Sequence, residues 1–425
     1  MPVTTRPETA AAAQIATRVR YNVLFLTFLT SFIMYMDRVC MGTATPTIMK
    51  EFGLDKITMG WSTSAFNWAY ALFQVPGGWM ADRYGARIVL AVAMTWWSAF
   101  TAATGMAAGL LSLAAARMAV GIGQSIAFPA SSRAVSNWFH DRERGVVTAS
   151  YLTGVRLGQA LINAIGVALL AAYGWKMFFM LVGLAPLLWL LPWNLFLGRW
   201  EVPQDKPGAV PPRPSTVASV KAHVRLLGNR DVFGIFLGYF AYDYVWFVFT
   251  NWLPGYLSLE RKFQGAELSL YSSVPFIAMC VVILASGAFS DLLVRRGRNE
   301  IRVRKFFIAV GLATSLLLVP AGLVEDRGTS VWLLTLSLCG LGVCPPNTWT
   351  LTQAVCSRNI VGTVSGIQNF GGNVGGILAP ALTGLIVHQT NSFNLAFQVA
   401  GGIAVVGILA YWLLITRRVA IEEQS

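Results

Sequence analysis

Gly78-Trp79-Met80-Ala81-Asp82-Arg83-Tyr84-Gly85-Ala86-Arg87 recurs in a looser form as Gly287-Ala288-Phe289-Ser290-Asp291-Leu292-Leu293-Val294-Arg295-Arg296-Gly297. The Gly-to-Asp spacing is the same in both copies, and the copies lie 209 residues apart in a chain of 425. Each closes one apolar segment and leads within a few residues into the next. A second set of glycines repeats as well: Gly145, Gly154 and Gly158 have counterparts at Gly362, Gly371 and Gly375, all offset by 217. Two similar halves, each made of membrane segments, are the mark of a protein that rocks one half against the other.

The membrane reading follows from composition. The chain is 55% hydrophobic and 12% charged, with a mean hydropathy of +0.58, whereas a soluble domain carries roughly a quarter charged residues. Runs of about 20 apolar residues suffice to cross the hydrocarbon core as helices. Twelve such spans are expected, at 21–46, 58–81, 87–106, 109–138, 145–172, 176–197, 231–256, 268–293, 303–323, 330–350, 361–388 and 393–416. The fourth, fifth and eleventh are long enough to tilt or protrude. The expected fold is all-α, with twelve transmembrane helices in two pseudo-symmetric six-helix bundles.

Charge sets the orientation. With both termini on the cytoplasmic side, 23 of the 32 Lys and Arg fall inside and six outside, the positive-inside pattern. This topology, with contact to anionic lipid, explains the net charge of +13 without nucleic acid. Residues 1–20 lack the apolar core of a signal peptide and read as a cytoplasmic tail. The Pro-rich, polar stretch 198–230 reads as a linker between bundles at 21–197 and 231–416, and 417–425 as a second tail. Cys40, Cys280, Cys339, Cys344 and Cys356 form no CxxC pair, so neither a disulfide framework nor a zinc site is expected. No phosphate-binding GxxxxGK[ST] and no HExxH occurs. His140, His223 and His388 are scattered and build no catalytic constellation. No cofactor, no metal and no enzymatic activity are expected.

Ionisable groups at bilayer depth are costly and are read as functional. Five stand out: Asp37 and Arg38 in span 1, Arg117 in span 4, Arg156 in span 5 and Asp243 in span 7. Helical spacing aligns them with other polar groups. Asn67, Tyr70 and Gln74 share a face of span 2, and Arg117 and Gln124 a face of span 4. Thr153, Arg156 and Asn163 line up in span 5. Tyr239, Asp243, Trp246 and Thr250 align in span 7, and Ser365, Asn369 and Asn373 in span 11. Some of these are expected to be plain interhelical hydrogen bonds. An intramembrane Arg suits a bidentate grip on carboxylate or phosphate, and three of them imply an anionic ligand. A carboxylate beside them can take up a proton, because burial raises its pKa and a neighbouring Arg lowers it.

The twelve spans and the Gly78–Arg87 motif resemble the major facilitator superfamily over nearly the whole chain. Four segments are similar to its anion:cation symporter family: Met36-Asp37-Arg38, Arg117 with Gly121-Ile122-Gly123 and Phe128-Pro129, Asn251-Trp252-Leu253-Pro254-Gly255-Tyr256-Leu257, and Asn369-Phe370-Gly371-Gly372-Asn373-Val374-Gly375-Gly376. The resemblance implies a proton-coupled importer of small organic anions in the inner membrane, working as a monomer. It implies Asp37 as the proton-coupling carboxylate, Arg38 as its organiser, and Arg117 and Tyr70 as substrate contacts. Gly78, Asp82, Arg83, Gly85, Arg87 and Asp291 would gate the conformational change, with Asp82 engaging a neighbouring helix.

The chain departs from the family where a Glu is usual and Gln124 stands, a side chain that carries no proton. Arg156 and Asp243 are also atypical. Asp37, Arg38, Arg117 and Arg156 sum to +2, and Asp243 reduces this to +1. Either Asp243 replaces the missing Glu as a second proton carrier, or coupling is reduced and the substrate is more anionic. Sugar acids, aromatic acids and dicarboxylates are the candidate substrates, with Arg38, Tyr70, Arg117, Gln124, Arg156, Tyr239, Asn369 and Asn373 as candidate contacts. Gln124 keeps anion exchange or facilitated uniport open as an alternative, and a membrane ligand sensor is a remoter one.

Overall fold

The computed structural model describes residues 7–198 and 225–416, together with Val419. Residues 1–6, most of the expected linker (199–224) and the remainder of the expected C-terminal tail lie outside the described residues.

Helix α1 is Pro7–Phe52, so it begins well before the expected 21. Helix α2 comprises Lys56–Leu72 and Gln74–Tyr84, α3 is Ala86–Thr104, and α4 comprises Leu110–Ser125 and Ala127–Trp138. The continuous stretch Arg144–Leu184 turns at Gly174 (φ 71°, ψ 163°). Helix α5 precedes that glycine; α6 follows it and is extended by Ala185–Trp189 and Leu190–Gly198. Then come α7 (Arg230–Leu259), α8 (Gly265–Arg295) and α9 (Glu300–Ser315 with Leu318–Leu323). The last three are α10 (Arg327–Val355), α11 (Val361–Thr390) and α12 (Asn394–Leu409 with Ala410–Leu414). Among the described residues, ten stretches are long and apolar enough to span a bilayer; α2 and α5 complete the twelve.

The breaks in α2, α4 and α9 have one cause. Phe73, Ile126 and Leu317 each stand three residues before a proline: Pro76, Pro129 and Pro320. Proline has no N–H for the carbonyl four residues back, so the chain re-forms its bonds ahead of the ring. Ile126 N–H accordingly bonds Gly123 O, and Leu317 N–H bonds Thr314 O, each three residues back. Pro254, Pro275 and Pro380 lie inside unbroken helices, so a proline permits such a break without forcing it.

The helices form two compact units. One holds residues 7–73, Arg83–His140 and 150–198. The other holds Gln74–Asp82, Asp141–Ala149 and residues from 225 onward. In the first, a core of Met41, Ile48, Leu113, Phe178 and Phe179 joins α1, α4 and α6. Large apolar side chains such as Leu188, Ile277 and Trp332 remain 65–70% exposed, as expected of helices whose outer faces meet lipid.

The glycine repeat has a steric meaning. An ideal Cβ at Gly154 or Gly158 would lie 2.6 and 2.1 Å from the carbonyl oxygens of Phe28 and Phe32, so α5 touches α1 backbone to backbone. At Gly371 and Gly375 the same probe meets Phe236 O and Phe240 O at 2.6 Å, so α11 touches α7 in the same way. Only a residue without a side chain allows this approach.

Candidate functional site

In the first unit the polar groups gather where α1, α2 and α4 meet. Asp37 is fully buried, and neither of its oxygens accepts a hydrogen bond among the described residues. Arg117 on α4 is 1% exposed and acts electrostatically on Asp37; its Nε and Nη1 are buried without a partner among the described residues. Arg38 sits in an aromatic cage. Its guanidinium lies 4.3 Å from the Tyr70 ring, 4.8 Å from Tyr35 and 5.1 Å from Phe66, while Phe66 also faces Arg117 at 4.9 Å. Such stacking holds a guanidinium in place while leaving donors for an anion. Nε and Nη2 of Arg38 remain buried and unpartnered among the described residues. Asp37, Arg38, Tyr70 and Arg117 therefore come together, as the family resemblance implies. Gln124 is fully buried on the α4 face that meets α1, where its Nε2 donates to Met34 O at 3.4 Å. Arg156 is half-buried on α5.

In the second unit Tyr239 and Asp243 lie on α7, one turn apart. Trp349 Nε1 from α10 donates to Tyr239 Oη at 3.1 Å. An ideal Cβ at Gly372 on α11 would fall 2.0 Å from Asp243 Oδ2 and 2.8 Å from the Tyr239 ring. Asn369 is buried, and Asn373 Nδ2 donates to the Asn369 carbonyl. Two expected partners fall elsewhere. Thr250 is exposed and bonds the carbonyls of its own helix, Trp246 O and Phe247 O. Asn67 is also exposed; its stripe is interrupted by the break at Phe73, beyond which Gln74 is fully buried with its main chain against Gly366. The segment Asn251–Leu257 works as an anchor. Trp252 Nε1 donates to Pro380 O at 3.3 Å, and the Tyr256 hydroxyl meets Ala321 O and Ser330 Oγ, each at 2.9 Å.

The repeated motif builds two matching contacts. Asp82 receives the N–H of Gly362 (2.9 Å) and of Thr363 (2.6 Å), the first turn of α11, and the Thr363 hydroxyl at 2.7 Å. Asp291 receives the N–H of Gly145 (3.0 Å) and of Val146 (2.8 Å), the first turn of α5. A helix N-terminus presents free donors and a partial positive charge, so a carboxylate there is doubly favoured. The glycines make room: an ideal Cβ at Gly362 would stand 2.7 Å from Asp82 Oδ1, and one at Gly145 2.4 Å from Asp291 Oδ1. Arg83 and Arg87 are partly buried, and Gly85 takes φ 88° at the turn into α3.

Two residues escape sequence reasoning. Arg304 counts there only as one of the 23 cytoplasmic cations. It is instead fully buried, 2.5 Å from Asp291 and in contact with Ser290. The available signal is its offset of 217 from Arg87. Arg261, counted as an outer-loop charge, is 9% exposed and donates to Ala321 O, Gly322 O and Tyr256 Oη.

The model of the Major Facilitator Superfamily matches residues 27–380, and the chain belongs to that superfamily. It is a multi-pass membrane transporter and not an enzyme. Among its relatives it is 34% identical over 396 residues to the hexuronate transporter of Bacillus subtilis (strain 168), covering 91% of this chain and 92% of that one. It is 32% identical over 418 residues to the D-galactonate transporter of Escherichia coli O6:H1 (strain CFT073), covering 94% and 96%. Among solved structures, a proton:xylose symporter of the same superfamily superposes with a TM-score of 0.70 at 14% identity, over 96% of this chain and 98% of that one, which shows the shared fold.

Proposed function

We propose that this chain is a secondary active transporter of the bacterial inner membrane that imports a small organic anion with protons by alternating access. A sugar acid is the favoured substrate, since relatives covering more than nine-tenths of the chain are named for hexuronate and D-galactonate. One observation carries the reading: the buried Asp37 and Arg117 and the half-buried Arg38 lie together, with guanidinium donors left over after every partner among the described residues is counted. Buried charged donors without acceptors are costly, and a carboxylate ligand supplies the acceptors. Arg117 and Arg38 then bind the anion, with Tyr70 holding Arg38. Arg156, Tyr239, Asn369 and Asn373 are further substrate contacts. Asp37 takes up the proton, and Asp243 is a second carboxylate able to do so. The Asp82 and Asp291 contacts, with Gly78, Arg83, Gly85 and Arg87, act as latches that hold one conformation and release in the other. The protein works as a monomer in the lipid bilayer with both termini cytoplasmic, and needs no cofactor.

Uptake of labelled hexuronate into proteoliposomes tests this reading. Wild type is expected to saturate and Arg117→Ala to lose saturable uptake. Unchanged saturation in Arg117→Ala would remove Arg117 from the site. Gln124 favours a second reading, exchange or uniport, because its amide is buried against Met34 O and cannot titrate. Accumulation driven by a pH gradient separates the two.

A further inference from the structure

The two units differ in the ionisable groups they carry at mid-helix. The first carries Asp37 together with Arg38, Arg117 and Arg156. Among the described residues, the Lys and Arg of the second unit lie in loops or within two turns of a helix end. What the second unit holds at mid-helix is Asp243. Its carboxylate rests against the main chain of α11, in space that any side chain at Gly372 would fill. Around it are neutral groups able to exchange hydrogen bonds. Tyr239 is already oriented by the Trp349 indole. Asn369 is buried on α11. Tyr411 on α12 is 1% exposed, its hydroxyl unpartnered among the described residues and within the field of Asp243.

This chemistry suits alcohols and opposes anions. A sugar hydroxyl donates to a carboxylate and accepts from a phenol or amide, and charge-assisted hydrogen bonds are the stronger ones. A second carboxylate brought to the same place meets a like charge in a medium of low dielectric, where repulsion is large. We infer that the Tyr239–Asp243–Trp349–Asn369 cluster on Gly372 is a hydroxyl-recognising subsite, and that Asp243 makes this transporter select sugar acids with a single carboxylate over aldarates, which carry one at each end. The inference rests on the sugar-acid reading above and narrows it.

The test is equilibrium binding of glucuronate and of glucarate to the purified protein, read as the ratio of their Kd values. Binding does not require the transport cycle, so a proton-coupling defect in a variant leaves the readout intact. Wild type is expected to bind glucuronate at least about tenfold more tightly, the equivalent of ~1.4 kcal/mol. Asp243→Asn keeps the shape, removes the charge and brings the ratio toward one. Gly372→Ala displaces the carboxylate and also narrows the ratio, which serves if the Asn variant fails to fold. Glucarate bound as tightly as glucuronate by wild type, or the same ratio in a folded Asp243→Asn protein, overturns the subsite. Failure to bind any sugar acid overturns the sugar-acid reading along with it, whereas tight binding without discrimination overturns the subsite alone.

Discussion

At the end of α2, Asp82 holds the first amides of α11; at the end of α8, Asp291 holds the first amides of α5. The amide geometry is the same, and both carboxylates substitute for a local cap. Helix α11 follows Ile360, which offers no side-chain oxygen to the amides beyond it. The support behind each carboxylate differs. Asp82 gains a hydroxyl, from Thr363, at the position where the other copy has Val146. Asp291 gains a cation, Arg304, with side-chain exposures of 0% and 1% for the pair. A buried guanidinium must keep its partner, so in the proposed cycle the second contact is the harder one to open.

That difference is open to challenge by substitution. Arg304→Met should have the largest effect, because it strands a buried carboxylate. A destabilisation of about 3–5 kcal/mol is expected, seen as a lower Tm in detergent, with part of it regained in Arg304→Met/Asp291→Asn. A melting curve like that of wild type would show the pair to be dispensable. Asp82→Ala ranks next. It removes three acceptor contacts of the charged type, each worth about 1.5–3 kcal/mol and not additive. The expected outcome is slower hexuronate uptake with a smaller Tm loss than Arg304→Met. Equal uptake would remove the latch role from the first copy.

A finer test exchanges the supports. Thr363→Val deletes one bond to Asp82 and should cost about 1.5 kcal/mol, while Val146→Thr should strengthen the Asp291 contact and slow transport. If both changes leave uptake untouched, the contrast between the copies has no functional weight. The smallest effect belongs to a local cap. Asp326 caps α10 by accepting Thr329 N–H at 2.7 Å, and the Thr329 donors hold its carboxyl below the usual carboxylate value. Its stabilisation is present above the unfolded value of about 4 and is lost as pH falls through the lower folded value. The Tm gap between Asp326→Ala and wild type should be full at neutral pH and close under stronger acid.

The repeat was the most legible part of the sequence. Its glycine offsets mark the positions where helices touch backbone to backbone, and its two Asp residues mark the two remote caps. The family resemblance singled out Asp37, Arg38, Tyr70 and Arg117, and these lie together where α1, α2 and α4 meet. Spacing failed for Asn67 and Gln74, whose helix breaks at Phe73 ahead of Pro76. It failed for Thr250 as well, where the hydroxyl satisfies itself on its own backbone. Depth was the least legible quantity. A count of cations treats Arg304 and Arg261 as solvated, yet both are buried, Arg304 on Asp291 and Ser290 and Arg261 on the Ala321 and Gly322 carbonyls.

In the proposed cycle Asp37 couples a proton to the anion held by Arg117. Proteoliposomes loaded alkaline inside, with labelled hexuronate followed in wild type and Asp37→Asn, test that coupling. Wild type is expected to accumulate the label above the external concentration. Asp37→Asn should exchange labelled for unlabelled hexuronate across the membrane without accumulating it. Accumulation by Asp37→Asn to the wild-type level would remove the coupling role and make Asp37 a structural partner of Arg117.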